Sequence, residues 1–185
     1  MADAPVHAPI DARIRTDGPL LRPQAGSLLS LRLRAIDAAA LEPLAPDLAL
    51  LDIGRQRSVL WSGEPLLWLR LGPDEWWCWW AQGRQVQPLM QSVAQALQGV
   101  FHACVDLSDG QQALPLAAPA RPLLSLGCDL DFERLPRDLA TRTRLGSFPV
   151  VLAATADQGV LLWVEASLSL SLQQWLRRAA VAMSD

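Results

Sequence analysis

Hydrophobic and polar positions change period several times along this chain, and each change marks an element. Residues 27–34 alternate well enough for a strand, and residues 66–71 and 76–81 are extended runs on either side of the Gly72-Pro73-Asp74-Glu75 turn. Between them, residues 37–44 predict a short helix ended by Pro46, and residues 50–53 and 58–61 predict short strands. Val86, Leu89, Met90, Val93, Ala94 and Leu97 recur at helical spacing, so residues 85–97 predict a helix stopped at Gly99. Residues 101–107 alternate as a strand, which Ser108-Asp109-Gly110 is expected to turn back onto residues 113–116 as a hairpin. Pro119 opens a helix reaching Leu126 and closed by Gly127, and residues 128–132 read as extended. Residues 141–145, 150–155 and 159–165 predict strands, and Ser167 is placed to cap a final helix reaching residue 183.

Residues 66–97 and 150–180 each read as a β-hairpin followed by a helix. The pattern predicts an α+β fold of antiparallel sheets with packed helices, pseudo-duplicated into two similar halves. Residues 1–26 hold four prolines and two glycines without periodicity, so they predict an extended N-terminal arm ahead of one α+β domain over residues 27–185.

Composition narrows the class. A chain of 185 residues, 51% apolar and 19% charged, can bury a substantial core. Net charge is −3 with both signs interspersed, and the nearest basic cluster, Arg134, Arg137, Arg142 and Arg144, is diluted by Glu133 and Asp138. That excludes the clustered positive field a nucleic-acid partner needs. All 16 basic residues are arginine, and Lys, Asn and Tyr are absent, which GC-rich coding explains. An arginine therefore carries less functional information than usual. Cys78, Cys104 and Cys128 are odd in number and far apart, as expected of reduced cytoplasmic thiols. No basic, apolar leader opens the chain, and no apolar run reaches the ~18 residues of a membrane span. A cytoplasmic protein without a membrane partner is expected.

Candidate chemistry is sparse. In Trp76-Trp77-Cys78-Trp79-Trp80, Trp77 and Trp79 share one strand face, with Trp68 upstream. Each indole buries on the order of 200 Å², so an uncovered aromatic face marks a contact. Trp77, Trp79 and Trp68 are therefore expected to form an interface with another subunit; a loop, the arm or a stacked ligand are the alternative covers. His102, Cys104, Asp106 and Ser108 alternate along one strand, but six residues of strand hold His102 about 20 Å from Ser108. With His7 as the only other histidine, neither a triad nor a three- or four-ligand zinc site is expected. Asp106 and Asp109 bracket a turn, and Asp129 and Asp131 are expected to meet solvent or arginine. No dinucleotide, phosphate-loop or zinc-protease motif occurs. No catalytic, cofactor-binding or metal residue is assigned.

Three blocks in register resemble one family, the gamma subunit of heterotetrameric sarcosine oxidase. They are Leu69-Arg70-Leu71-Gly72-Pro73-Asp74-Glu75-Trp76; the run from Val105-Asp106-Leu107-Ser108-Asp109-Gly110 to Gly127-Cys128-Asp129-Leu130-Asp131-Phe132; and Thr143-Arg144-Leu145 with Pro149-Val150-Val151-Leu152, Leu161-Leu162-Trp163-Val164 and Trp175-Leu176. The resemblance implies a fold like the folate-binding domain of the glycine-cleavage T-protein, an aminomethyltransferase. It implies a non-catalytic subunit beside alpha, beta and delta chains, contacting mainly alpha. Those partners would hold FAD, FMN, NAD and tetrahydrofolate and convert sarcosine to glycine, with one-carbon transfer to the folate. Gln111-Gln112 and Ala117-Ala118-Pro119 depart from the Gly-Arg and Ser-Gly-Pro types expected there. A related N-methyl amino-acid oxidase stays open as the complex, and a free-standing folate-binding protein of the T-protein class as the alternative.

Overall fold

One sequence of elements is run through twice. The computed structural model describes residues 22–82 and 86–183, so most of the arm expected over residues 1–26 lies outside the described residues. The first round is β1 (Ser27–Leu33), two 3-10 turns (Ala35–Leu41 and Leu48–Leu50), the meander β2 (Arg55–Trp61), β3 (Glu64–Arg70) and β4 (Glu75–Trp80), then helix α1 (Gln87–Ala96). A strand β5 (His102–Asp106) follows. The second round is β6 (Gln111–Leu116), a 3-10 turn (Ala118–Ala120) running into α2 (Arg121–Ser125), the meander β7 (Ala140–Leu145), β8 (Phe148–Ala154) and β9 (Val160–Glu165), then α3 (Ala166–Ala182). Both sheets are antiparallel. The first is ordered β2-β3-β4-β1-β5 and the second β7-β8-β9-β6, so each places its opening strand beside the last strand of its meander. The fold is α+β and duplicated in topology.

Each sheet covers two cores. On one face of the first sheet, Leu29, Leu31, Trp68, Trp76 and Cys78 pack with Leu89 and Val93 of α1. On the far face of the second, Leu114, Leu152 and Leu162 pack with Leu123 of α2 and Leu172 and Leu176 of α3. The two inner faces meet through Leu28, Leu69, Trp77, Trp79, Ala113, Val151 and Trp163. The layers run helix, sheet, sheet, helix. Backbone bonds stitch the sheets at two corners: Gln24 N donates to Ala113 O at 2.8 Å, and Gln56 N donates to Asp138 O at 2.7 Å.

Several expectations need correcting. Ser108-Asp109-Gly110 does not close a hairpin, since β5 pairs with β1 and β6 with β9. The turn crosses from one sheet to the other. An Asp-Gly hairpin of the commonest kind needs two positive-φ residues, and neither Asp109 nor Gly110 is among them. Residues 50–53 leave a 3-10 turn for a bend at Gly54, which has φ +81°, instead of forming a strand. Residues 128–132 are irregular. Finally, α3 begins at Ala166 with no side-chain cap from Ser167; the Ala166 N–H donates instead to Gly110 O at 3.0 Å, so a neighbouring turn supplies one missing acceptor.

Candidate functional site

The Trp-rich strand is central in its sheet, between β3 and β1, and the second sheet lies across it. Register places Leu69 opposite Trp77 and Leu67 opposite Trp79 on β3, with Ser30 and Leu28 opposite the same two residues on β1. From the other sheet Trp163 inserts between them. Its ring centroid lies 6.4 Å from Trp77 and 5.8 Å from Trp79, with interplanar angles of 88° and 75°. Edge-to-face packing of this kind adds roughly 0.5–1.5 kcal/mol per pair beyond area burial. Trp77 keeps 3% and Trp79 5% of its surface exposed.

The interface expected at Trp77, Trp79 and Trp68 is therefore corrected. The rings of Trp77 and Trp79 are covered by the chain's own second sheet. Trp68 faces the other way, fully buried among Trp76, Cys78 and the α1 core. The expectation assumed that one face of an edge hairpin would be uncovered, whereas β4 is an inner strand of a two-sheet stack. Continuous apolar runs in both β4 and β9 carry that signature of two-sided burial.

Polar groups ring this seam. Glu75, at the start of β4, is nearly buried and accepts from Arg142 of β7, pairing the two sheets across their edge; Arg32 stands 3.4 Å away on its other side. The Arg142 guanidinium also lies over the Trp77 ring at 5.1 Å. Two strands away at the same end of the first sheet, Gln56 Nε2 donates to Ala154 O, and Arg55 pairs with Asp138 at 2.8 Å. The pattern of the chain gave no sign of the Glu75–Arg142 pair, whose members lie 67 residues apart.

Beside the seam, the described residues bound an open cleft of about 980 Å³ between the halves, lined by Gln24, Trp79, Asp106, Ser108, Gln111 and Gln112 among others. It gathers amides and carboxylates with one indole edge. Gly26 sits at its wall, where a Cβ would come within 2.5 Å of the Trp79 ring and 2.9 Å of Trp80 O. Only glycine lets the backbone pass there. Ser108 is tied into the scaffold: its hydroxyl donates to Asp106 Oδ1 at 2.6 Å and accepts from Leu28 N at 3.0 Å. Asp106 Oδ1 also accepts from Ser108 N at 2.9 Å. The pair locks the crossover from β5 to β6 against β1.

The remaining candidates are scattered. His102 Nδ1 donates to Val100 O at 2.8 Å on the α1 side of the sheet. Cys104 neighbours that core, and burial pushes its thiol up to about 11; complete burial pushes Cys78 well above the ordinary thiol range, with Cys104 adding to it. Neither thiol is activated as a nucleophile. Asp131 Oδ1 accepts from Glu133 N and Arg134 N, at 3.0 and 3.3 Å. Among the described residues no group of three or more His, Cys, Asp or Glu is placed to hold a metal ion, and no helix is long and apolar enough to cross a membrane.

No protein-family model matches the chain. A curated protein, sarcosine oxidase subunit gamma of Corynebacterium sp. (strain P-1), is 32% identical over 118 residues, covering 62% of this chain and 56% of that protein. The chain thus spans about half the length of the curated relative it matches. Among solved structures, a chain of the heterotetrameric sarcosine oxidase from Corynebacterium sp. U-96, in complex with pyrrole 2-carboxylate, superposes with a TM-score of 0.75 at 24% identity, covering 89% of this chain and 85% of that one. Aminomethyltransferase T of the glycine cleavage system from Bartonella henselae superposes with a TM-score of 0.64 at 14% identity, covering 83% of this chain but 44% of that one. The duplicated α+β chain shares its fold with a chain of heterotetrameric sarcosine oxidase and with under half of an aminomethyltransferase, and in sequence it resembles the oxidase's gamma subunit.

Proposed function

We propose that this chain is the gamma subunit of a heterotetrameric sarcosine oxidase and has an assembly rather than a catalytic role. One observation carries the reading. The fold likeness runs nearly end to end on a chain of that oxidase, at 89% and 85% coverage, while it spans only 44% of the aminomethyltransferase. The 32% identity to a curated gamma subunit points the same way. On this reading, alpha, beta and delta subunits carry FAD, FMN, NAD and tetrahydrofolate and oxidise sarcosine to glycine in the cytoplasm, passing the one-carbon unit to the folate. This chain packs chiefly on alpha. Its own polar groups serve geometry: Ser108 and Asp106 fix the crossover, and Glu75 and Arg142 fix the sheets.

Co-expression with the genes for alpha, beta and delta tests this. The expected result is co-purification in a complex that oxidises sarcosine, with the lone chain colourless and inactive. A lone chain with a stoichiometric flavin spectrum, or a fully assembled active oxidase that excludes it, overturns the proposal. The cleft of about 980 Å³ favours a second reading, a free-standing folate binder; saturable tetrahydrofolate binding by the lone chain, with no association with the oxidase, would establish it instead.

A further inference from the structure

A second cavity, of about 130 Å³, opens where the inner faces of the two sheets part. Strand register sets its lining. Val151 of β8 stands between Arg142 of β7 and Trp163 of β9 in one cross-strand row. The next row on that face places Glu165 of β9 beside Gln111 of β6. Trp77 of β4 closes the cavity from the first sheet. Both indoles are almost completely buried, and among the described residues neither Nε1–H finds an acceptor. A buried donor that gives up water without gaining a partner is costly, so native proteins rarely leave one empty. Here two belong to one cavity. The indoles of Trp68 and Trp76 also lack acceptors, but they lie in the α1 core, outside this lining.

Charge completes the set. Arg142 and Glu165 are the charged residues of the lining. Glu75 accepts from one terminal nitrogen of Arg142, and a guanidinium carries donors on all three nitrogens. Donors therefore remain beside the Trp77 ring that Arg142 covers. Two strands and two residues separate Arg142 from Glu165, roughly 12 Å between Cα atoms, so a positive and a negative residue bracket the cavity. We propose that it binds a small zwitterionic α-amino acid. The carboxylate takes the Trp77 and Trp163 N–H groups and the remaining donors of Arg142, and the ammonium meets Glu165. A bare anion would be opposed by Glu165 and a bare cation by Arg142, so a molecule carrying both charges satisfies the lining. Size limits the side chain. A water takes about 30 Å³ of the liquid, so the cavity has room for roughly four waters, or for an amino acid with no side chain beyond a methyl group. The inference stands apart from the functional proposal, since the lone chain holds every residue it uses.

Nuclear magnetic resonance of the isotope-labelled full chain tests it, because each of the eight tryptophans gives its own indole N–H signal. Trp77→Phe and Trp163→Phe identify two of these signals by their loss, and melting curves confirm that each variant is folded. Titrated glycine should shift those two signals saturably, while those of Trp68 and Trp76, assigned the same way, hold still. Acetate, which lacks the ammonium, should bind at least tenfold more weakly, and methylamine should leave both signals in place. Arg142→Gln should raise the glycine Kd at least tenfold. Glu165→Gln, at an exposed position, should do the same for glycine and leave acetate unchanged or tighter. The proposal is overturned by the absence of a saturable shift with glycine, which is the result for a cavity holding water only. Equal binding of glycine and acetate, or a glycine affinity indifferent to Glu165→Gln, overturns it as well.

Discussion

β4 and β9 occupy the same place in the two halves, yet they share almost no chemistry. β4 is Glu-Trp-Trp-Cys-Trp-Trp and β9 is Val-Leu-Leu-Trp-Val-Glu. Both close a meander, both lie beside the opening strand of their sheet, and both are buried on two faces. What the duplication preserves is position between two layers, and each half fills that position differently. The first uses broad rings, which need few residues to reach across the seam. The second uses aliphatic residues and one ring, Trp163, that meets the opposite pair.

Removing that ring should have the largest effect. Trp163→Ala empties the centre of the seam and should cost roughly 3–5 kcal/mol, the usual range for a buried aromatic. Urea unfolding followed by fluorescence and by far-ultraviolet circular dichroism should stay coincident, because one seam serves both sheets. Separate transitions would mean that the halves are independent. Trp77 sharpens the comparison. Its buried indole N–H has no acceptor among the described residues, so Trp77→Phe should cost under about 1.5 kcal/mol while Trp77→Ala costs several times more. A loss confined to complex assembly, with the isolated chain unchanged in urea, would return Trp77 to an interface.

The polar rim comes next. Glu75→Gln removes the charge shared by Arg32 and Arg142 and should cost roughly 1.5–3 kcal/mol, the scale of hydrogen bonds to charged groups. Arg142→Gln, on a half-exposed partner, should cost less by the same urea measurement. Ser108→Ala strands the buried Leu28 N–H and should cost about 1–2 kcal/mol. If a complex assembled on the proposed reading instead kept its stability and lost turnover with that change, Ser108 would act in the chemistry.

Much of the fold was legible because its strands are bounded by Gly, Pro and Asp and its helices by clean apolar spacing, as in residues 85–97 against α1. The half-to-half likeness was legible for the same reason. What was hidden depends on which strands meet. Trp77 and Trp79 look uncovered only when β4 is taken as an edge; its continuous apolar run signals burial on both faces, but which layer covers the second face is set by residues far along the chain. The Asp109-Gly110 turn is likewise a local fact whose partner strands are set at a distance. The short element at residues 35–41 is 3-10 rather than α because Pro43 and Pro46 leave no length to propagate.

The smallest effect concerns pH. Burial raises the Cys104 thiol from 9.0 to about 11 in the folded chain. The folded form therefore holds its proton where the unfolded chain loses it. The stability linked to this group is complete below pH 9 and declines as pH rises toward 11. Cys104→Ser should flatten that part of a stability–pH curve without changing the neutral plateau.

Two pairings at the opening strands have a different consequence. Gln24, just ahead of the first round, bonds to β6 of the second, while β5, just ahead of the second, pairs along β1 of the first. Each half reaches over and holds the other's opening strand, as two hands grip each other's wrists. A chain cut at Gly99, between α1 and β5, should therefore give two fragments that are insoluble apart and recover their structure only when mixed. If the protein arose by copying one unit, the ancestor must have met a second copy of itself across this seam, and joining them end to end made that handshake permanent.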